Sequence, residues 1–332
     1  MLRIKQFWTL AGLTALHIIR QPIFLLLTTA CIVLTALTPL LLMHNFAEEG
    51  KLARDSGLAY HFVFGLFIAG YAACSSLARE MRSGTALAIL SKPVDRDVFF
   101  LAKFFGMAGV ILAFSTCAIT TTLLSERIAE KFILTEKLSG TIVDWQTGKI
   151  LIAVPIVACL LAGMINYRTR RPFESTAFGL LLLCLLLAFF ISGFFDRMGN
   201  LAPFDFHVQW RIVPAGLLIA AALIMMSAFA ISLSTRLTTV PTMAICSAIF
   251  LAGLMSDYLL GRNMADSPAA AFFYRVVPNW QHFWLSDALT GGGTIPVTYV
   301  LNAGLYAIVY SAAILCLGII SFRYVELKYA DG

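Results

Sequence analysis

Charge is what this chain has least of. Asp, Glu, Lys and Arg make up 13% of its 332 residues, against 60% hydrophobic residues and a mean hydropathy of +0.85. A soluble domain is about a quarter charged and about half apolar. A water-soluble globule is therefore excluded. Enzyme signatures are missing too. No G-x-x-x-x-G-K-[ST] occurs, since Gly148-Lys149 lacks both the upstream glycine and the following hydroxyl. The chain has no P-loop with which to cradle ATP. It also lacks G-x-S-x-G, H-E-x-x-H and C-x-x-C, so neither a nucleophile elbow, a zincin helix nor a thiol-redox or zinc pair is expected. No N-x-[ST] sequon is present, which fits a bacterial protein.

What remains is long apolar runs. A helix needs about 20 apolar residues to cross the hydrocarbon layer. Such runs lie at roughly 23–43, 58–78, 104–124, 150–166, 176–195, 215–235, 237–260 and 297–322. They are continuous rather than alternating, which excludes a β-barrel. The expected fold is all-α: a polytopic transmembrane helical bundle of about eight spans. The fourth run is short and carries Pro155, and Asp257 is the one acid inside a run. Cys31, Cys74, Cys117, Cys159, Cys184, Cys246 and Cys316 fall one per span, and the five histidines are dispersed. Both patterns read as packing residues. Catalytic, cofactor-binding and metal-binding residues are expected to be absent. Thr116, Thr120, Thr121 and Thr122 form a polar stripe on the third span, read as helix–helix hydrogen bonding.

Orientation follows from where the positive charge gathers. With the N-terminus inside, the inside segments hold 14 of the 24 basic residues and 6 of the 18 acids, net +8, leaving −2 outside. Both termini are expected in the cytoplasm of a multi-pass protein of a bacterial inner (plasma) membrane. The pI near 9.0 then reflects loops facing anionic lipid, with no nucleic acid implied. Residues 1–22 read as an interfacial helix, with Ile4, Trp8, Ala11, Ala15 and Ile18 on one face and Pro22 opening the first span. A cleaved signal peptide is not expected, because His17 and Arg20 interrupt the run and no small-residue cleavage site is present.

The remaining organisation is spans one to three over 23–125, with a cytoplasmic loop at 79–103. An external segment comes next at 126–149, then a transmembrane hairpin over 150–195 turning at Tyr167–Pro172. Spans six to eight occupy 196–332 with an external segment at 261–296. The loop reads REMRSGTALAILSKPVDRDVFFLAK. Thr85 to Leu90 can form about two helical turns with Leu87, Ile89 and Leu90 apolar, ended by Pro93. Asp95 can cap the next helix. A short apolar helix in a charged loop suits either the membrane surface or a groove on a soluble partner.

Here the chain resembles the ABC-2 type permeases, the membrane subunits of one class of ATP-binding-cassette transporters. Their pattern is an acid, Gly-Thr, a leucine-rich turn, Lys/Arg-Pro, a basic residue, aromatics and Lys before the third span. Glu80, Gly84, Thr85, Leu87, Leu90, Lys92, Pro93, Arg96, Phe99 and Lys103 stand in those places. SAFAISLSTRL (Ser227 to Leu237) is similar to the family's short cytoplasmic turn. VPNWQHFWLSDAL and the run from Val297 to Lys328 are similar to its last external segment, last span and basic stop. The resemblance implies that a separate ATPase subunit, which binds the ATP, docks on a coupling loop formed by Glu80, Gly84, Thr85, Leu87, Leu90, Lys92, Pro93 and Arg96. It also implies a second permease chain, as a homodimer or heterodimer. The family core has six spans, so the 150–195 hairpin is extra. The 126–149 segment, longer than the core needs, is a lid, a partner contact or a spacer.

The aromatics of 261–296 (Phe272, Phe273, Tyr274, Trp280, Phe283 and Trp284) read as an interfacial belt, a reading compatible with the family's re-entrant external helices. Three functions are open at this point. The first is export or flipping of an amphipathic substrate across the membrane with ATP hydrolysed by a separate subunit. The second is a permease-like subunit that drives maturation or assembly of an external metalloprotein or a surface or motility structure. The third, a polytopic lipid-modifying enzyme, would need converging carboxylates or histidines, and no such cluster is evident.

The charge split carries a topology test. Single cysteines placed at Ser83, Thr169 and Lys328 of a cysteine-free chain should react with a membrane-impermeant thiol reagent only after the inner membrane is opened. Cysteines at Glu49, Glu136 and Asp287 should react from outside. External labelling at Thr169 would remove the 150–195 hairpin.

Overall fold

The computed structural model describes residues 2–41, 50–82, 94–135, 138–204, 208–262, 264 and 267–324. The chain opens with α1 (Leu2–Ile19), α2 (Pro22–Leu41) and α3 (Lys51–Ala73), which runs on through a π turn (Cys74–Ala78) and a last turn, Arg79–Arg82. Next come α4 (Arg96–Ile128), a hairpin of β1 (Lys131–Thr135) and β2 (Leu138–Ile142), α5 (Trp145–Thr169) and α6 (Phe173–Gly193). The rest is α7 (Ile212–Leu233), α8 (Thr239–Leu254), a π turn (Asp257–Gly261), α9 (Pro268–Val276), two 3₁₀ turns (Trp280–Phe283 and Asp287–Gly292) and α10 (Val297–Arg323). The fold is predominantly helical, a polytopic bundle.

Among the described residues, seven helices are long and apolar enough to cross a bilayer: α2, α3 with its extension, α4, α5, α6, α7 and α10. The run at 237–260, expected as a continuous seventh span, is divided. α8 has 16 residues and stops at Leu254. Its hydrogen-bond ladder nevertheless continues, with Met255 N–H donating to Leu251 O and Leu259 N–H to Met255 O, before widening into the π turn. The disturbance has an identifiable wedge. Gly253 is so close to the returning chain that a Cβ there would lie 2.2 Å from Pro278 O, and the Trp280 indole donates to Ile249 O at 3.3 Å. Side chains inserted at a helix in this way bend it.

The fourth span is the reverse case. Expected as a short run at 150–166, it forms 25 residues of helix, starting at Trp145. Asp144 starts it early: its carboxylate accepts the Thr147 N–H at 2.9 Å and the Thr147 hydroxyl at 2.8 Å. Pro155 is accommodated inside the helix. The hairpin β1–β2, paired in register from Lys131↔Ile142 to Thr135↔Leu138, is a departure from an all-helical chain. Its β-branched and aromatic residues, Phe132, Ile133, Thr135, Thr141 and Ile142, favour strands.

α3, α4 and α7 form the centre, with 72%, 67% and 67% of their apolar windows buried. α5 and α10, at 28% each, lie at the periphery. Lipid offers no hydrophobic drive for helices to associate, so close packing must do it. Small residues allow that approach. A Cβ at Gly57 would meet the Thr122 hydroxyl at 2.6 Å, and one at Gly65 would meet Leu223 at 2.2 Å. His61 of α3 is fully buried and hydrogen-bonds Ser115 of α4 at 2.9 Å, the role of a packed histidine. The threonine stripe behaves differently from expectation. Thr116, Thr121 and Thr122 donate to the carbonyls of Leu112, Cys117 and Ala118, four residues back in their own helix. A carbonyl one turn away is always within reach, so it outcompetes a neighbouring helix.

α1 packs along α4. Ala11, Thr14 and Ile18 are buried, and a Cβ at Gly106 would lie 2.4 Å from Ala11 O. Ile4 and Trp8 stay 65% exposed, so the five-residue face drawn from periodicity is divided between α4 and the surroundings.

α4 has 33 residues and is about 50 Å long, well over the about 30 Å of hydrocarbon. Its far end carries charge out of the lipid and fastens three helices. Arg127 Nε bonds the Asp144 carboxylate at 2.8 Å, and its other nitrogens donate to Ser192 O and Phe195 O. One guanidinium thus joins the end of α4, the cap of α5 and the carbonyl end of α6, where a cation is favoured by the helix dipole. Beside it Lys131 bonds Glu126 at 2.8 Å, and Gly50 (φ 71°) turns the chain where a Cβ would be 2.8 Å from that carboxylate. Only glycine adopts such a conformation without cost.

Arg127 and Asp144 are both nearly inaccessible. Breaking such a pair from one side leaves an uncompensated charge, at about 3–5 kcal/mol. Arg127→Met should therefore lower stability by about that amount and expose the 194–211 connection to limited proteolysis. A loss under about 1 kcal/mol would place the pair in the class of weak surface ion pairs.

Candidate functional site

The helices reverse direction at each connection, so their ends collect in two groups. The group expected to be cytoplasmic holds the residues around the 79–103 loop. Of the loop residues singled out from sequence, Gly84, Thr85, Leu87, Leu90, Lys92 and Pro93 lie outside the described residues. Glu80 and Arg96, which flank them, are described.

The chain enters the loop from the α3 extension. The π turn at Cys74–Ala78 is buried throughout, and Ser75 and Ser76 donate to Ala72 O and Ala73 O at 3.2 and 3.3 Å. Single π turns inside α-helices are often found at functional sites, because the extra residue re-aims the next turn of helix. In this chain the next turn carries Glu80, which meets Lys103 of α4 at 2.5 Å. Both are largely buried, and the Lys103 ammonium lies 5.4 Å from the centre of the Phe99 ring.

The chain re-enters at Asp95. This residue occupies the cap position of α4, but its side chain makes no cap hydrogen bond and instead pairs with Arg3 of α1 at 3.3 Å. Arg96 does not meet Glu80. It donates to Arg323 O at 2.9 Å, at the end of α10. Asp97, in the first turn of α4, takes the Arg323 guanidinium in a two-pronged pair, with Nε to Oδ1 at 2.9 Å. An acid at a helix start and a base at a helix end each complement the local dipole. The α7–α8 turn joins the same assembly: Thr235 bonds Ser321 at 3.0 Å and Arg236 donates to it at 3.2 Å.

Sequence reasoning placed Glu80, Arg96 and Lys103 near this loop but missed that Asp97, Arg323 and Arg3 tie it to two distant segments. The available signal was charge position, an acid opening α4 and an arginine closing α10. Which helices would meet was not written there. His17, beside this cluster, is half-buried. Burial pushes its pKa below the usual 6.5; Glu80 opposes this, while Lys103 and Arg79 reinforce it. Protonation then favours the unfolded chain, so stability at this corner falls as pH drops below about 6.5.

At the opposite end, the 261–296 segment folds back into the bundle. Trp280 and Phe283 are fully buried, and Trp284 stacks on Phe62 at 6.1 Å. Phe272 and Phe273 stay more than half exposed. The aromatics expected to form one interfacial belt are thus split between core and rim. Asp257 accepts from the Tyr274 hydroxyl at 2.7 Å and from Asn279 at 3.0 Å, which fixes this return. Below it an apolar groove of about 280 Å³ opens between α3, α7 and α8, lined by Phe67, Gly70, Met226, Met243, Cys246 and Phe250 among others. Among the described residues no group of three His, Cys, Asp or Glu converges as a metal site would require.

Lys103→Met leaves Glu80 buried without its cation and should lower thermal stability in detergent by about 3–5 kcal/mol. Adding Glu80→Gln should recover most of that loss in a double-mutant cycle. Two purely additive losses would show that the pair is not coupled.

Comparison with known proteins agrees with this geometry. The family model described as "ABC-2 family transporter protein" matches residues 8–167, from α1 through α5, including the whole 79–103 loop. Comparisons with curated proteins and with solved structures give no match. Members of the matched family are transport proteins rather than catalysts, and from α1 through α5 this multi-pass helical bundle is similar to the ABC-2 family of transporter membrane proteins.

Proposed function

We propose that this chain is the permease subunit of a bacterial inner-membrane ABC transporter that moves an amphipathic substrate, powered by ATP bound and hydrolysed on a separate subunit. The observation that carries the reading is the anchoring of the 79–103 loop. One end rises from Glu80, pinned to Lys103 of α4. The other begins at Asp95–Asp97, tied to α1 and α10. A force on this loop would be delivered to α1, α3, α4 and α10 together. That suits a loop that an ATPase pushes, and it is more than a solvated connection needs.

In this reading the segment Thr85 to Leu90 docks into a groove on the ATPase, with Leu87 and Leu90 as anchors. A second permease chain, identical or related, completes the transporter, and both termini face the cytoplasm. The apolar groove between α3, α7 and α8 supports a cargo with a substantial apolar part.

Burying a leucine contributes about 1.5–3 kcal/mol. Replacing both anchors, Leu87→Asp with Leu90→Asp, should weaken ATPase binding by about a hundredfold or more. Membrane insertion should be unchanged, because the loop lies outside the hydrocarbon. Co-purification of the ATPase and ATP-dependent transport report the result. A double variant that keeps full ATPase binding and full transport would show that the coupling element lies elsewhere.

A further inference from the structure

The α5–α6 hairpin leans on the α1–α2 corner through Phe178, whose ring lies 4.9 Å from that of Phe24. Beside this contact, at the same end as the 79–103 loop, the hairpin leaves a groove of about 530 Å³. Its mouth is polar: Arg20 from the α1–α2 corner, Arg171 from the hairpin turn, and the hydroxyl residues Ser175 and Thr176 in the first turns of α6. Its floor is apolar: Ile165 from α5, and Leu180 and Leu183 from α6. Gly179 sits among them, where a Cβ would meet nothing within 4 Å. Among the described residues no carboxylate lines it; Glu174, the nearest acid in sequence, is not part of the wall.

We propose that this groove binds one anionic phospholipid of the surrounding leaflet. The phosphate would sit between Arg20 and Arg171, and an acyl chain would run along Gly179, Leu180 and Leu183. Two cations with no opposing acid among the described residues favour a phosphate, and arginine is the side chain best matched to its oxygens. Basic pockets between spans are a recurrent form of lipid headgroup site. The dimensions agree. From Ser175 to Leu183 is about 12 Å along the helix, within the about 15 Å of one leaflet's hydrocarbon. A soluble anion would have no use for the apolar floor. Because the groove joins the hairpin to the α1–α2 corner, the lipid would act as a filler between the two. This site is independent of the ATPase reading.

Native mass spectrometry on the full-length delipidated protein, titrated with phosphatidylglycerol and separately with phosphatidylcholine, tests this. Wild type should bind one phosphatidylglycerol in preference to phosphatidylcholine. Arg20→Gln with Arg171→Gln should weaken phosphatidylglycerol binding about tenfold or more and leave phosphatidylcholine unchanged. Gly179→Phe, which fills open space and alters no charge, should weaken it as well, with the variant still monodisperse and unchanged in melting temperature. Arg168→Gln with Arg170→Gln removes the same amount of charge, from the hairpin turn but not from the groove, and should bind as wild type does. An equal loss in that control would reduce the effect to diffuse surface charge and overturn the site. Displacement of the lipid by millimolar inorganic phosphate would overturn the lipid in favour of a soluble anion. Equal binding of the two lipids by wild type would overturn the selectivity for an anionic headgroup and with it the proposed site.

Discussion

A charge held out of water has to find its counter-charge within hydrogen-bond reach, and α4 satisfies that demand at both ends. Lys103 pairs with Glu80 at one end and Arg127 with Asp144 at the other. The two basic residues are 24 positions apart, about 36 Å along the helix, slightly more than the hydrocarbon thickness of about 30 Å. Each pair can therefore sit at one boundary of the membrane. From Phe104 to Ser125 α4 presents only uncharged residues to α1, α3 and α7. The length of one helix thus sets where the rest of the bundle may carry charge.

The two boundaries serve different ends. At the Arg127 end, one guanidinium collects an ion pair and two carbonyls at the end of α6, so the α5–α6 hairpin is fastened to the end of α4. At the Lys103 end the ion pairs are distributed. Glu80, Asp95 and Asp97 each reach a different element, and two of the three pairs are partly exposed. Exposed pairs are worth little individually, so this end can shift in a way the other cannot. A firmly bonded end that holds the α5–α6 hairpin and a more exposed end that holds α1 and α10 differ in how readily they rearrange.

The returning segment after α8 shows how a polytopic fold closes its own surface. Trp280 and Phe283 would suit a membrane interface by type, yet both are buried, and Gly253 leaves room for Trp280 against α8. The helix gives way at Met255, and Asp257, the single acid in that apolar run, accepts hydrogen bonds from Tyr274 and Asn279. A charge that looked out of place in the run is the pivot of the turn beyond it.

Hydropathy alone determined that the chain spans a membrane repeatedly, because helix length and hydrocarbon thickness are matched by physics that acts within each segment. It also located the loop and its flanking Glu80 and Arg96, since composition changes abruptly there. It could not say where helices begin: the Asp144 cap and the interruption at Met255 depend on side chains that arrive from elsewhere. The contents of a helix face were legible only in part. Ile4 and Trp8 share a face with Ala11 by periodicity, but α4 covers only some of it. Nor could it assign partners to charges. That Glu80 meets Lys103, that Asp95 turns from its cap to Arg3, and that Arg323 closes on Asp97 across 226 positions are decisions of tertiary packing. An ion pair is defined by distance in space, and a sequence holds only distance along the chain.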